Sequence, residues 1–146
     1  MTSGETVRDT ASEGETAAAG AALGRTLFAG DVVLLTGPLG AGKTAFVRGL
    51  AEGLDCDPSA VSSPTFAIVQ EYRGRVTLEH VDLYRLSAAE VDDLGLDDLF
   101  EGAVAAIEWP DRWTGAPAAA WRVAFEVLDE HRRRIAIQPP AGHSTR

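Results

Sequence analysis

The sequence predicts a single α/β domain whose sheet is partly parallel and partly antiparallel. Two short apolar runs, VVLLT (32–36) and AVAAIEW (103–109), are typical of strands that are buried on both faces. Helical patterns stand beside these runs, and hairpin patterns elsewhere indicate antiparallel additions to the sheet. The chain has 146 residues, of which 45% are hydrophobic, and this is enough apolar material for one core.

The first third of the chain is expected to form a disordered arm, a helix, a strand and a second helix. Residues 1–12, MTSGETVRDTAS, are polar and aperiodic, which predicts disorder. An alanine-rich helix is expected from about Thr16, with Gly30 as its C-terminal stop. The strand at 32–36 follows. The second helix begins near Lys43, because the apolar residues after it recur at helical spacing.

The rest of the chain predicts two hairpins with a helix and a buried strand between them. FAIVQEY (66–72) and VTLEHVDLY (76–84) form the first hairpin, and WRVAFEVL and RRIAIQ form the second. A capping box of Ser87 and Glu90 begins the helix, in which Gly95 is a weak point. The buried strand is the apolar run that ends at the EWP sequence.

Composition and charge narrow the range of functions. The net charge is −9, with 13 basic against 22 acidic residues, so any contact with nucleic acid is expected to be indirect. Cys56 is the one cysteine, which forbids an internal disulfide and favours a reduced, cytoplasmic setting. No apolar stretch is long enough to span a bilayer. The domain is expected to cover 13–138, with a flexible tail at 139–146.

A glycine-rich loop at 37–44, GPLGAGKT, matches the pattern G-x-x-x-x-G-K-[ST] at each fixed position. Its glycines let the backbone aim N–H groups at a phosphate, and the next helix adds positive potential at its N-terminus. Lys43 would meet the β- and γ-phosphates, and Thr44 would offer its hydroxyl to Mg²⁺. Since the loop joins a buried strand to a helix, the sequence predicts a single P-loop NTPase domain. No N-K-x-D element is present, which favours ATP over GTP.

Two acids are candidates for the remainder of a nucleotide site. Asp82 follows the alternating strand LEHVDLY, and Glu108 closes the apolar strand AVAAIEW. Carboxylates at these strand ends point towards the edge where open α/β sheets bind ligands. Each would hold the metal or orient the attacking water. A solvated strand end is the alternative for both.

A third candidate, Thr65, lies in the sequence SSPT after the loop helix. GTPases place a threonine that senses the γ-phosphate in this connection. An ordinary turn that enters a strand explains the same residues equally well. His80 is either a general base or a buried, hydrogen-bonded histidine, and the second interpretation is favoured.

The segments GPLGAGKTAFVRG, SSPTFAIVQEY, HVDLYRL and AIEWP, in this order, resemble the TsaE (YjeE) family. The resemblance covers about residues 13–137. It implies a cytoplasmic protein that binds and hydrolyses ATP with Mg²⁺ and takes part in forming threonylcarbamoyladenosine in tRNA. It also implies association with the TsaD–TsaB pair, so that tRNA is met only through that complex, and no membrane attachment.

The resemblance also implies roles for individual residues. Lys43, Asp82, Glu108 and Thr65 match the catalytic positions, and Thr44 and Glu108 match the magnesium ligands. Nucleotide contacts are implied at Glu13, Thr16, Gly37, Leu39, Gly40, Ala41, Gly42, Lys43, Thr44, Ala45 and Arg133. Pro38 departs from the family loop, which often has aspartate there, so a contact of that carboxylate would be missing.

Three functions remain open from the residues alone. The first is an ATPase that serves a partner complex. The second is a small-molecule kinase of the P-loop class, which needs a lid that excludes water. The acidic stretch after Leu86 does not resemble an arginine-rich lid. The third is a nucleotide-dependent binding module with negligible turnover.

Overall fold

The computed structural model describes residues 4–38, 40–61, 69–99 and 101–140, with the backbone alone at 97 and 99. The strands in these residues form one seven-stranded sheet in the order β1-β7-β6-β2-β5-β4-β3. Their bounds are β1 (Thr6–Thr10), β2 (Val32–Thr36), β3 (Val69–Tyr72), β4 (Thr77–Asp82), β5 (Ala103–Glu108), β6 (Trp121–Val127) and β7 (Arg133–Gln138). The helices are α1 (Glu13–Gly24), α2 (Lys43–Gly53), α3 (Ala88–Asp93) and α4 (Leu96–Leu99).

The sheet has a parallel centre and antiparallel borders. Strands β6, β2, β5 and β4 run parallel, whereas β7 and β1 extend one border and β3 the other in antiparallel fashion. The prediction of a mixed α/β sheet with two hairpins is therefore confirmed. The carboxyl ends of the parallel strands meet at one edge, which is where α/β sheets bind ligands.

Helices cover the two faces of the sheet unequally. On one face, α1 and α2 pack over a core around Phe46, Leu50 and Leu35, which are fully buried. On the other face, α3 and neighbouring segments cover a smaller cluster that includes Val81 and Ile107. Among the described residues, no helix has the length and the apolar character that crossing a bilayer requires.

Glycines let α1 and α2 lie unusually close together. A Cβ atom on Gly20 would lie 2.1 Å from the Phe46 carbonyl oxygen, and one on Gly49 would lie 1.9 Å from the Ala17 carbonyl oxygen. Real side chains do not tolerate such distances, so the backbones are in direct contact. This contact fixes the start of α1 beside the start of α2.

The N-terminal arm differs from the expectation of disorder. Thr6–Thr10 form strand β1, which pairs with β7, and Arg134 Nε lies 2.9 Å from Asp9 Oδ1 across this pair. Most of β1 is exposed, so it has no amphipathic pattern for sequence analysis to detect. Its partner strand, rather than its own composition, makes it a strand.

The ends of helices α1 and α3 can be compared with those that the sequence predicts. Helix α1 begins at Glu13, earlier than expected, because the Ser12 side chain accepts a hydrogen bond from the Glu15 N–H. The capping box at Ser87 is present as predicted. Gly95, with φ of 64°, separates α3 from α4, so the predicted weak point is the place where the helix breaks.

Candidate functional site

The loop after β2 is built around left-handed glycines. Gly40 and Gly42 have φ of 77° and 98°, conformations that favour glycine, and Gly42 is the N-cap of α2. At Gly37, whose φ is 145°, a Cβ atom would lie 2.9 Å from the Phe125 carbonyl oxygen on β6. The loop is therefore wedged between the end of β6 and the start of α2, and its glycines are required by geometry.

Lys43 is folded back into this loop. It is 5% exposed, its Nζ donates to the Gly37 carbonyl oxygen over 2.8 Å, and the same atom lies 4.4 Å from the centre of the Trp109 ring. Burial lowers the pKa of Lys43, and the nearby carboxylates Glu108 and Asp82 oppose that change. The ammonium group is thus desolvated and faces two acids.

The two candidate acids end adjacent parallel strands at matching positions. Asp82 on β4 is the register partner of Glu108 on β5. Asp82 Oδ1 accepts a hydrogen bond of 2.9 Å from the Tyr84 N–H, and burial raises the pKa of this carboxyl. Glu108 is 5% exposed, and its Oε2 lies 2.6 Å from Nε2 of His80.

Trp109 closes the wall beside these acids. Its φ of 60° places a bulky residue in the left-handed region, a conformation that costs about 1–2 kcal/mol. The turn directs its ring over Lys43 and against Tyr84, whose ring centre is 4.9 Å away. Arg112 Nη1 donates to the carbonyl oxygens of Tyr84 and Leu86, over 3.1 and 2.7 Å, and so ties the two strand-end loops together.

The opposite wall comes from Ser12, the start of α1, the β6–β7 turn and the first residue of β7. Thr16, which is 2% exposed, shares a hydrogen bond of 2.8 Å with the Thr10 hydroxyl. Arg133 Nη2 donates to the Gly40 carbonyl oxygen over 3.2 Å, and its Nη1 donates to the Asp129 carbonyl oxygen over 2.8 Å. The Arg133 Nε is buried without a hydrogen-bond partner in the described part of the chain.

These walls enclose a cavity of about 530 Å³. Its lining includes ten of the residues that the sequence indicated: Glu13, Thr16, Gly40, Gly42, Lys43, Thr44, Ala45, Asp82, Glu108 and Arg133. Gly37 and Ala41 belong to the same loop, where the Ala41 N–H donates to the Pro38 carbonyl oxygen over 3.2 Å. Leu39 and Thr65 lie outside the described residues, so their predicted roles stay predictions.

Sequence reasoning missed three residues that line the cavity, Ser12, Glu130 and His131. For Ser12 a signal existed, because Ser12 and Glu15 have the spacing of a helix cap. For Glu130 and His131 none did, since the pairing of β6 with β7 and β2 is what carries their turn to the loop.

The residues in the cavity fit a magnesium ion. The Thr44 hydroxyl and the carboxylates of Glu108 and Asp82 are oxygen donors, which Mg²⁺ prefers. Within the described ranges, no group of three or more His, Cys, Asp or Glu side chains is placed to hold a metal alone. Mg²⁺ commonly takes one or two protein carboxylates and completes its coordination shell with phosphate oxygens and water.

Fold and cavity together define a single α/β domain with a glycine-rich loop beside the carboxyl ends of its parallel strands. A sequence model of the family described as "Threonylcarbamoyl adenosine biosynthesis protein TsaE" matches residues 10–135. The chain belongs to this TsaE family.

Individual relatives agree with this assignment. The chain is 44% identical over 126 residues to a tRNA threonylcarbamoyladenosine biosynthesis protein TsaE of Nostoc sp., covering 82% of this chain and 77% of the relative. It is 40% identical over 126 residues to the protein of the same name in Treponema pallidum, covering 84% and 93%. The crystal structure of YdiB from Bacillus subtilis superposes with a TM-score of 0.74 at 30% identity, covering 93% of this chain and 86% of that chain.

Proposed function

We propose that this chain binds ATP with Mg²⁺ and hydrolyses it, and that hydrolysis supports the formation of threonylcarbamoyladenosine in tRNA. The observation that carries this proposal is the single cavity in which the loop residues Lys43 and Thr44 face the strand-end acids Asp82 and Glu108. The curated relatives carry the name of that biosynthesis, and the chain shares their family.

Each residue has a defined task in this proposal. Lys43 leaves the Gly37 carbonyl oxygen and places its ammonium group against the β- and γ-phosphates, where it balances the charge that develops in the transition state. Thr44 and Glu108 would hold the magnesium ion, which supplies electrostatic stabilisation when bound. Asp82 orients the attacking water. Its raised pKa makes its carboxylate a stronger proton acceptor than an exposed aspartate.

The nucleotide has one favoured orientation in the cavity. Because Lys43, Thr44, Asp82 and Glu108 require the terminal phosphates, the base lies towards the other wall, near Glu13, Thr16 and Arg133. Thr65 is proposed to sense the γ-phosphate, in keeping with the family resemblance. We further propose the TsaD–TsaB pair as partner and the cytoplasm as location, with tRNA met only through that pair. The net charge of −9 is consistent with indirect contact.

The test is ATP turnover by the purified chain, alone and with the TsaD–TsaB pair. Lys43→Ala and Glu108→Gln should each lower turnover by about 100-fold or more. Glu126→Gln makes the same chemical change on an exposed position of β6 and should leave turnover unaltered. Turnover that persists in both site variants would refute the assignment. A metabolite that becomes phosphorylated in place of water would establish a kinase instead.

A further inference from the structure

His80 is a fully buried histidine that lies behind the candidate acids. It is 0% exposed and does not line the cavity, whereas Asp82 and Glu108 do. On β4 it precedes Asp82 by two residues, so both side chains lie on one face of the sheet. This burial agrees with the expectation of a buried, hydrogen-bonded histidine, because the imidazole does not reach the cavity surface.

The parallel pairing of β4 with β5 explains how His80 reaches Glu108. His80 is the register partner of Ala106, and Asp82 is the register partner of Glu108. Since Ala106 carries only a methyl group, the imidazole has room to lean along the sheet towards the next position on the same face. The result is the 2.6 Å contact between His80 Nε2 and Glu108 Oε2.

The hydrogen bonds of His80 indicate which of its two ring nitrogens carries the hydrogen. His80 Nδ1 is buried and has no hydrogen-bond partner within the described residues. A carboxylate oxygen can only accept a hydrogen bond, so the ring nitrogen that contacts it must be the donor. The hydrogen therefore belongs on Nε2, which donates to the carboxylate of Glu108.

We propose that His80 is a positioning residue that holds Glu108 Oε2 from behind and so presents Oε1 to the cavity as the magnesium ligand. This inference rests on the proposed function and deepens it. A carboxylate fixed at one oxygen loses its rotational freedom before the metal arrives, and such outer contacts commonly raise metal affinity by about 10- to 100-fold.

The experiment measures the binding of a fluorescent ATP analogue as magnesium is added, first in EDTA and then across a Mg²⁺ titration. Three variants separate the loss of the N–H donor from the change in side-chain volume. His80→Leu removes the donor, and His80→Gln places an amide N–H near the position of Nε2. His80→Asn also carries an amide, but its side chain is too short to reach Glu108. Leu78→Val, on the same strand and face, is the control for a destabilised core that leaves Glu108 untouched.

In His80→Leu and His80→Asn, the Mg²⁺ concentration that gives half of the magnesium-dependent gain in nucleotide affinity should rise by about 10-fold. Nucleotide affinity in EDTA should stay at the wild-type value. His80→Gln should remain within about threefold of wild type. If His80→Leu does not fold, the comparison of Gln with Asn decides alone, and equal Mg²⁺ half-points in these two variants would overturn the proposal.

Three further outcomes separate this inference from the proposed function and from a purely structural role of His80. Wild-type protein that shows no magnesium-dependent nucleotide binding would overturn both. Wild-type protein that binds Mg²⁺ and nucleotide, with His80 variants that match it, would overturn the positioning role and leave the proposed ATPase standing. If the His80 variants lose nucleotide affinity to the same extent in EDTA and in Mg²⁺, as expected for a destabilised core such as that of Leu78→Val, then His80 has only a structural role in the core.

Discussion

At the scale of single residues, Trp109 joins backbone strain to the position of its ring. Its left-handed φ of 60° is unfavourable for any residue with a Cβ atom, and the ring lies over Lys43. Strained backbone of this kind persists where the surrounding contacts enforce it, and it is frequent at functional sites. Substitution separates the backbone strain from the ring contact, because both glycine and alanine remove the ring but only glycine relieves the strain.

Trp109→Ala and Trp109→Gly both remove the ring, but only the glycine variant removes the strain. We expect Trp109→Gly to be more stable than Trp109→Ala by about 1 kcal/mol in urea unfolding. Both variants should bind nucleotide more weakly than wild type, because Lys43 loses the ring beside it. Equal stability of the two variants would show that the left-handed turn is not strained.

Glu79 is a buried acid that the proposed chemistry does not use. It is 7% exposed and pairs across the strands with Glu71, and burial together with this neighbour raises its pKa to about 7. Glu71 Oε1 also lies 3.3 Å from Arg73 Nε. Between pH 4.5 and about 7, Glu79 holds a proton in the folded protein that the unfolded chain has released, so its ionisation opposes folding.

The sign of the effect follows from the raised pKa. Stability is not reduced by Glu79 below its ordinary pKa of 4.5, and it falls as pH rises from there through about 7. Glu79→Gln should therefore be more stable than wild type at pH 8, by on the order of 1–2 kcal/mol, and the difference should shrink towards pH 4.5. Urea unfolding of both proteins across this range measures it. A difference that does not change with pH would contradict the assignment.

At the scale of elements, the contact between α1 and α2 determines how the cavity is assembled. The two helices begin side by side at the cavity, with Glu13 and Thr16 on α1 and Lys43 and Thr44 on α2. Glycines at the crossing allow backbone contact between them. Arg75 secures the other end, since its guanidinium donates to the carbonyl oxygens of Gly24 and Gly53 at 3.2 and 3.3 Å.

Gly49→Ala should destabilise the protein by about 3 kcal/mol or more, because the added Cβ would lie 1.9 Å from the Ala17 carbonyl oxygen and force the helices apart. Gly14→Ala is the matched control, since its Cβ would meet nothing nearer than the Ser12 Oγ at 3.8 Å. This control should stabilise α1 by about 0.5–1 kcal/mol. Thermal and urea unfolding compare the two, and equal effects would show that the crossing accommodates a side chain.

Elements with a local signal were predictable from the sequence, and elements that depend on a distant partner were not. The apolar runs of β2 and β5 and the glycine-rich loop carry their own patterns, so the central strands and a strand–loop–helix unit follow directly. Strand β1 is polar and exposed, and only its pairing with β7 makes it a strand.

The candidate site divides in the same way. The motif and the strand ends indicated loop residues and both acids, and in the structure Lys43, Thr44, Asp82 and Glu108 line one cavity. The contact of His80 with Glu108 joins residues from different strands and depends on register. No pattern within either strand contains that information.

At the scale of the whole molecule, charge bears on what the chain binds. With 13 basic and 22 acidic residues, it has no excess of cations to displace the counterions of RNA. We expect the isolated chain to show no tRNA binding at physiological salt in a filter-binding assay, with or without ATP. Binding at nanomolar concentration would contradict this expectation and would require a direct tRNA site.

The order of strands in the sheet has a consequence for biosynthesis. Strand β2 is the middle strand, yet its two neighbours, β5 and β6, begin only at Ala103 and Trp121. A ribosome therefore releases the most apolar strand, and the loop that follows it, long before either neighbour has been translated. Until then, the contacts available include those of the α1–α2 pair and of the β3–β4 hairpin, whose partners are close in sequence. The nascent chain completes the candidate cavity only as synthesis reaches β7, and until then β2 is an apolar strand without either of its neighbours, a state that favours aggregation.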